Sequence, residues 1–123
     1  MLSKFETKCK NIIEEYFGET FISSYRPDFL KNPETKRNLE IDLFDEKRRI
    51  CYEFQGIQHF CYPNIFHKSM NDFIAQVRRD DFKIKRLQSL NFTVIRIPYT
   101  FDGENLKEKI IALLEKKGIN KNY

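Results

Sequence analysis

Apolar residues recur with a helical period at both ends of this chain and with a period of two through its middle. Phe5, Cys9, Ile12, Ile13 and Tyr16 share one face of a helix over residues 3–17. Ser3 and Glu6 have the spacing of a capping box, and Gly18 supplies a stop. A short strand over 21–25 ends at Arg26-Pro27-Asp28, because proline lacks a ladder donor and pushes the residue before it out of helix. Residues 29–38 read as a loop. Two strands follow, over 39–44 and 50–55. Leu39, Ile41 and Leu43 alternate with Glu40, Asp42 and Phe44, and Ile50, Tyr52 and Phe54 with Cys51, Glu53 and Gln55. Polar residues 45–49 suit a hairpin turn between them. After a connection over 56–70, a helix over about 71–90 is expected to bury Phe73, Val77, Ile84 and Leu87, with Ile74 beside them and Phe82 exposed. A β-branched and aromatic strand over 92–97 stops at Pro98. The last helix, about 103–117, presents Leu106, Ile110, Leu113 and Leu114 before Gly118 ends it.

The order is helix, three strands, helix, strand, helix. Short connections make the first three strands antiparallel, and the long helical connection makes the fourth parallel to the third. The expected fold class is α/β, a mixed sheet flanked by helices. A length of 123 residues fits a single domain over 1–123.

Composition narrows the class without naming a function. A hydrophobic fraction of 41% argues against disorder. The net charge of +4 is compatible with a polyanionic partner and with many others. Three cysteines, an odd number, do not form a disulfide framework and point to a reducing compartment. No apolar run approaches a membrane span, and Lys4, Glu6, Lys8 and Lys10 break up any signal-peptide core. The expectation is an intracellular protein, in cytoplasm or nucleus.

Candidate chemistry gathers in the stretch from Leu39 to His59. Glu53 and Gln55 share a strand face, and Asp42 reaches it from the partner strand if the register allows. Hard oxygen ligands of this kind suit Mg²⁺. The plain alternative is the solvated face of a hairpin. In the connection, Phe60, Tyr62 and Phe66 interleave with His59, His67 and Lys68, a composition that stacks bases or grips phosphates, or simply tucks onto the core. His59, Cys61 and His67 are zinc-ligand types, but their spacing fits no usual pair of ligand units and lacks a fourth ligand, so zinc is not expected. Asp80 falls inside the apolar stripe of the long helix, flanked by Gln76 and Lys83. A carboxylate there needs a partner from another element or a structural ion pair. Arg78, Arg79, Lys85 and Arg86 form an outward basic surface. Glu14 points away from the first helix's apolar face and Glu15 sits at its edge.

The element order, the Asp in the second strand and the E-x-polar pair in the third resemble the PD-(D/E)xK nuclease superfamily over nearly the whole chain, from Ser3 to Ile97. Glu53-Phe54-Gln55-Gly56-Ile57-Gln58-His59 is similar to the E-x-D-G-x-x-H pattern of the branch related to very-short-patch-repair endonucleases. Arg79-Asp80 and Val94-Ile95-Arg96-Ile97 resemble that branch's R-D helix and V-x-R strand. The resemblance implies a restriction-endonuclease-like α-β-β-β-α-β core with an extra C-terminal helix. It implies a DNA endonuclease that hydrolyses phosphodiester bonds with Mg²⁺, for which Mn²⁺ is expected to substitute. Asp42 and Glu53 would hold the metal with the backbone carbonyl of Phe54. Gln55 stands where the family has Lys or Asp and would orient water. His59 would be the base or stabilise the leaving oxygen, Gln58 would position the phosphate, and Asp80 would orient His59 or water. Glu15, Gln76 and Lys83 are accessory candidates. Tyr62, His67, Lys68, Arg78 and Arg79 are candidates for touching DNA. The proline that precedes the family's first acid is absent: Ile41 precedes Asp42, and Pro27-Asp28 reads as a turn. Without an appended reading domain, a homodimer or a larger nuclease assembly is expected. The departures also leave a non-catalytic nucleic-acid-binding module of the same fold as a rival.

Overall fold

The capping box closes as its spacing predicts. Glu6 donates its N–H to Ser3 Oγ, and the Ser3 N–H returns to Glu6 Oε1 at 3.0 Å. In the computed structural model, which describes residues 2–56 and 69–123, this starts helix α1 (Lys4–Phe17). Gly18, in the left-handed region at φ 68, stops it. Strands β1 (Ile22–Tyr25), β2 (Ile41–Asp45) and β3 (Ile50–Gln55) come next, then helix α2 (Met70–Ser89) and strand β4 (Thr93–Pro98). A single 3-10 turn (Tyr99–Phe101) leads to helix α3 (Leu106–Lys116).

The four strands lie in sequence order. β1–β2 and β2–β3 are antiparallel, and β3–β4, joined by the crossover through α2, is parallel. Helices cover both faces, so the strands are apolar on both sides. On one face Leu43, Ile50, Tyr52, Phe54, Ile95 and Ile97 pack with Cys9 and Ile13 of α1 and Leu106, Ile110 and Leu114 of α3. On the other, Ile41, Phe44, Cys51 and Val94 pack with Leu30, Phe92 and Leu87 of α2. The mixed α/β sheet flanked by helices is therefore the observed architecture.

Several local expectations change. Strict alternation in the second strand fails at Asp42: Leu39 and Ile41 pack with Phe44 on the α2 face, while Leu43 packs on the opposite one. There the backbone N–H of Asp42 donates to Glu53 Oε2 at 3.3 Å and that of Phe54 to Asp42 Oδ2 at 2.8 Å. Side chains, not carbonyls, take those two donors. Ser24, opposite Asp42 in the β1–β2 register, sits in the left-handed region at φ 51. Asp45 belongs to the strand end rather than to the turn. It is 2% exposed and accepts from the Arg48 N–H and from Arg48 Nη1 at 3.0 Å.

The apolar stripe of α2 is buried only toward its C-terminal end. Leu87 is buried, and Phe82 and Ile84 pack partly against the sheet, but Ile74 and Val77 are exposed. Helical period shows which residues share a face but not how far along the helix the sheet reaches. Phe82, expected to be exposed, packs because the 29–38 loop brings Leu30 and Phe29 over the sheet edge. Helix α3 starts later than expected, because Gly103, at φ 104, and Asn105, at φ 64, hold left-handed backbone at its first predicted positions.

Candidate functional site

The register that pairs Leu43 with Tyr52 places Asp42 opposite Glu53 one step further along. Both carboxyl groups open into a small cleft of about 130 Å³ at the end of β2 and β3. Asp80 and Lys83 reach it from α2, Gln55 and Arg96 from the neighbouring strands β3 and β4, and Glu6 from α1.

Lys83 Nζ donates to Glu53 Oε1 at 2.5 Å, and the two side chains are 13% and 12% exposed. Arg96 pairs with Glu53 in the parallel β3–β4 register. Gln55, 8% exposed, turns its amide oxygen to the guanidinium, the orientation that satisfies both groups. It accepts from Arg96 Nε at 2.8 Å and from Nη2. The pocket wall is thus a carboxylate pair bracketed by two cations.

Burial pushes the Asp42 carboxyl up to about 8, and the neighbouring Glu53 charge pushes the same way. The Phe54 N–H and Lys83 oppose that rise. Burial also raises Glu53, against the pull of Lys83 and of the Asp42 N–H, with Asp80 adding repulsion. For Lys83 burial alone would favour the neutral amine. Glu53, the hydrogen bond to it, Asp42 and Asp80 outweigh that, and the net shift is upward. Burial and mutual repulsion therefore both work against full ionisation of the two carboxyl groups.

Besides Phe54, five of the sequence-selected residues, Asp42, Glu53, Gln55, Asp80 and Lys83, come together here. Phe54 lines the same cleft. The amide oxygen of Gln55 is engaged by Arg96. Asp80 is half-buried and lines both this cleft and the cavity beside it. Gln76 does not line the cleft. Glu15 stands on the far side of α1, its carboxylate 76% exposed and 3.9 Å from Lys107. Glu14 accepts from the Phe21 N–H at 2.8 Å and from Lys10 at 3.1 Å. The acid that α1 does bring to the cleft is Glu6, which the capping box had already explained. Gln58, His59, Tyr62, His67 and Lys68 lie outside the described residues. Arg78 and Arg79 are exposed on α2, and Arg79 lines a second cavity beside the cleft.

Among the described residues no three His, Cys, Asp or Glu side chains converge on one metal position. The hard oxygen donors that the cleft offers are the carboxylates of Asp42 and Glu53. That fits Mg²⁺, which takes one or two carboxylates and keeps its waters, and does not fit structural zinc. The described cysteines, Cys9 and Cys51, are free and buried, and burial lifts both thiols to about 12, far from reactive thiolates. No helix is long and apolar enough to cross a membrane among the described residues.

The sequence is 33% identical over 111 residues to uncharacterized protein 094L of Frog virus 3 (isolate Goorha), matching 89% of this chain and 71% of that protein. The chain belongs to the family of protein 094L. Within the same range of similarity lie uncharacterized protein 033L of Invertebrate iridescent virus 3, 31% identical over 116 residues, and uncharacterized protein 307L of Invertebrate iridescent virus 6, 35% identical over 112. The chain spans 59% and 57% of the lengths of those two relatives. No protein-family model matches the sequence. The 094L family thus supplies kinship without an assigned chemistry, and the chemistry has to be argued from the cleft.

Proposed function

We propose that the chain is a metal-dependent DNA endonuclease of the PD-(D/E)xK kind, on a restriction-endonuclease-like core, closest in its motifs to the branch related to very-short-patch-repair enzymes. The observation that carries the reading is Asp42 facing Glu53 across two strands, with Asp80 and Lys83 of α2 closing on the pair. Asp42, Glu53 and the Phe54 carbonyl would hold Mg²⁺, and Mn²⁺ would substitute. When bound, the ion supplies charge stabilisation for a phosphodiester under attack. Lys83 places an ammonium beside the carboxylates and so provides the positive charge that Gln55, an amide, cannot. Arg96 fixes Gln55 and brings a second cation to the phosphate side. Glu53 foremost, with Asp42 and Asp80, keeps Lys83 charged. His59 remains the candidate base.

The test is cleavage of supercoiled and branched DNA with Mg²⁺, with Mn²⁺ and with chelator. Metal-dependent nicking that disappears in Glu53→Gln supports the reading. Nicking that survives chelation or the substitution overturns it. A second reading, a nucleic-acid-binding module without catalysis, is favoured by the ammonium seated on Glu53 and by the Gln55–Arg96 pair. It predicts DNA binding with no cleavage under any metal.

A further inference from the structure

A second cavity, of about 400 Å³, opens between α2 and the loop that joins β1 to β2. Asp80 and Lys83 line both it and the carboxylate cleft, so the two depressions meet at a shared wall. The volume is in the range of ligand sites rather than of packing defects.

The loop that forms its far side holds its own shape. Asn32 is buried. Its N–H donates to the Arg37 carbonyl at 2.8 Å, its carbonyl accepts from the Lys36 N–H at 2.8 Å, and its side-chain oxygen accepts from the Glu34 N–H at 2.9 Å. Lys36 is kept in the left-handed region at φ 62. Leu30, fully buried, anchors the base, and the Leu39 N–H closes it on the Leu30 carbonyl at 2.7 Å. Asn38 ties the two ends through Asp28 Oδ1 at 2.9 Å. A surface fixed this way loses little further freedom when a ligand arrives.

Its charges are sorted. Arg26, Arg37, Arg79 and Lys83 line the cavity against Glu40 and Asp80. Arg26 neutralises Glu40 at 3.3 Å, and Lys83 is held by Glu53. Arg37 from the loop and Arg79 from α2 remain, both exposed, and neither guanidinium pairs with another described residue. Two open guanidiniums, one from the loop and one from α2, make the chemistry that grips successive phosphates without reading bases.

We infer that this groove holds the phosphate backbone of a DNA strand and leads it to the Asp42–Glu53 cleft. The inference rests on the nuclease reading for the choice of DNA and for the direction of travel. The grip on a phosphodiester chain rests on the groove alone.

The experiment is fluorescence anisotropy of a short labelled DNA duplex in chelator, across about 50 to 200 mM salt, where phosphate contacts dominate the salt dependence. It compares the full chain with Arg37→Ala, Arg79→Ala and Arg37→Glu, and with Lys109→Ala on α3 as the control. Arg37→Ala and Arg79→Ala are each expected to weaken binding about five- to tenfold at the low-salt end and to reduce the log–log salt slope by about 0.9. Arg37→Glu weakens it further, and Lys109→Ala leaves it unchanged. Wild-type affinity and slope in both alanine variants, or no binding of DNA by the full chain, overturns the inference. So does tighter binding of an RNA duplex of the same length. Cleavage assays on the same preparations separate the two claims. A chain that binds through Arg37 and Arg79 yet never cuts keeps the groove and removes the nuclease. A chain that cuts while both variants bind like wild type keeps the nuclease and removes the groove.

Discussion

Lys83 Nζ lies 2.5 Å from Glu53 Oε1, thirty positions away in sequence. The contact joins α2 to the end of β3 and sets the charge balance of the cleft, because it brings an ammonium to two carboxylates that burial already disfavours.

Replacing Lys83 with Met keeps the length of the side chain and removes its charge. Breaking a largely buried pair by removing one partner costs about 2–4 kcal/mol, discounted here for partial exposure. The loss should depend on pH. At higher pH Glu53 ionises without its partner, whereas toward acid the raised carboxyl groups take up protons earlier than ordinary ones and part of the loss is relieved. Urea unfolding at the two pH values checks this, and an equal loss at both would contradict the charge balance drawn here.

Asp42 makes stability depend on pH in the opposite sense to a carboxylate whose pKa folding lowers. Its pKa is raised from 3.8 to about 8, so the folded state holds a proton that the unfolded chain releases. Its contribution to stability is complete below about pH 4 and is lost as pH rises through about 8. Asp42→Asn mimics the protonated form and can still accept the Phe54 N–H. In chelator at about pH 8 it should unfold about 1 kcal/mol later than wild type, and near pH 4 the two should coincide. Thermal melts in matched buffers decide this, and a variant less stable than wild type at pH 8 would contradict the assigned burial.

Much of the fold was readable from the chain. Ser3, Glu6 and Gly18 marked both ends of α1, and the connection lengths ordered the sheet. Asp42 and Glu53 were legible as a pair because a period of two and a short turn are local facts. The pairing of Lys83 with Glu53 was not legible, since only the fold brings α2 over that strand end. The shift of alternation at Asp42 arises from carboxylates taking backbone N–H groups, which no pattern of apolar residues records. Glu6 was hidden by its own cap, and Ile74 and Val77 looked buried because period alone does not say where the sheet stops.

Arg48 supports the hairpin on which the carboxylate pair stands. Its guanidinium bonds Asp45 and Glu19 and lies 4.3 Å above the Phe17 ring. Arg48→Ala leaves the Asp45 carboxylate, 2% exposed, without its cation, a loss of about 2–3 kcal/mol. Asp45→Asn combined with Arg48→Ala should recover part of it. Urea midpoints of the two variants test the claim, and a double variant weaker than the single would contradict it.

The central claim is that Asp42 and Glu53 together make a divalent-cation site. Titration of the DNA-free protein with Mn²⁺, followed by the electron paramagnetic resonance of the free ion, measures it directly. One Mn²⁺ bound per chain, lost in both Asp42→Asn and Glu53→Gln and displaced by excess Mg²⁺, is the predicted result. No binding by the wild-type chain, or the same binding in both variants, would contradict it.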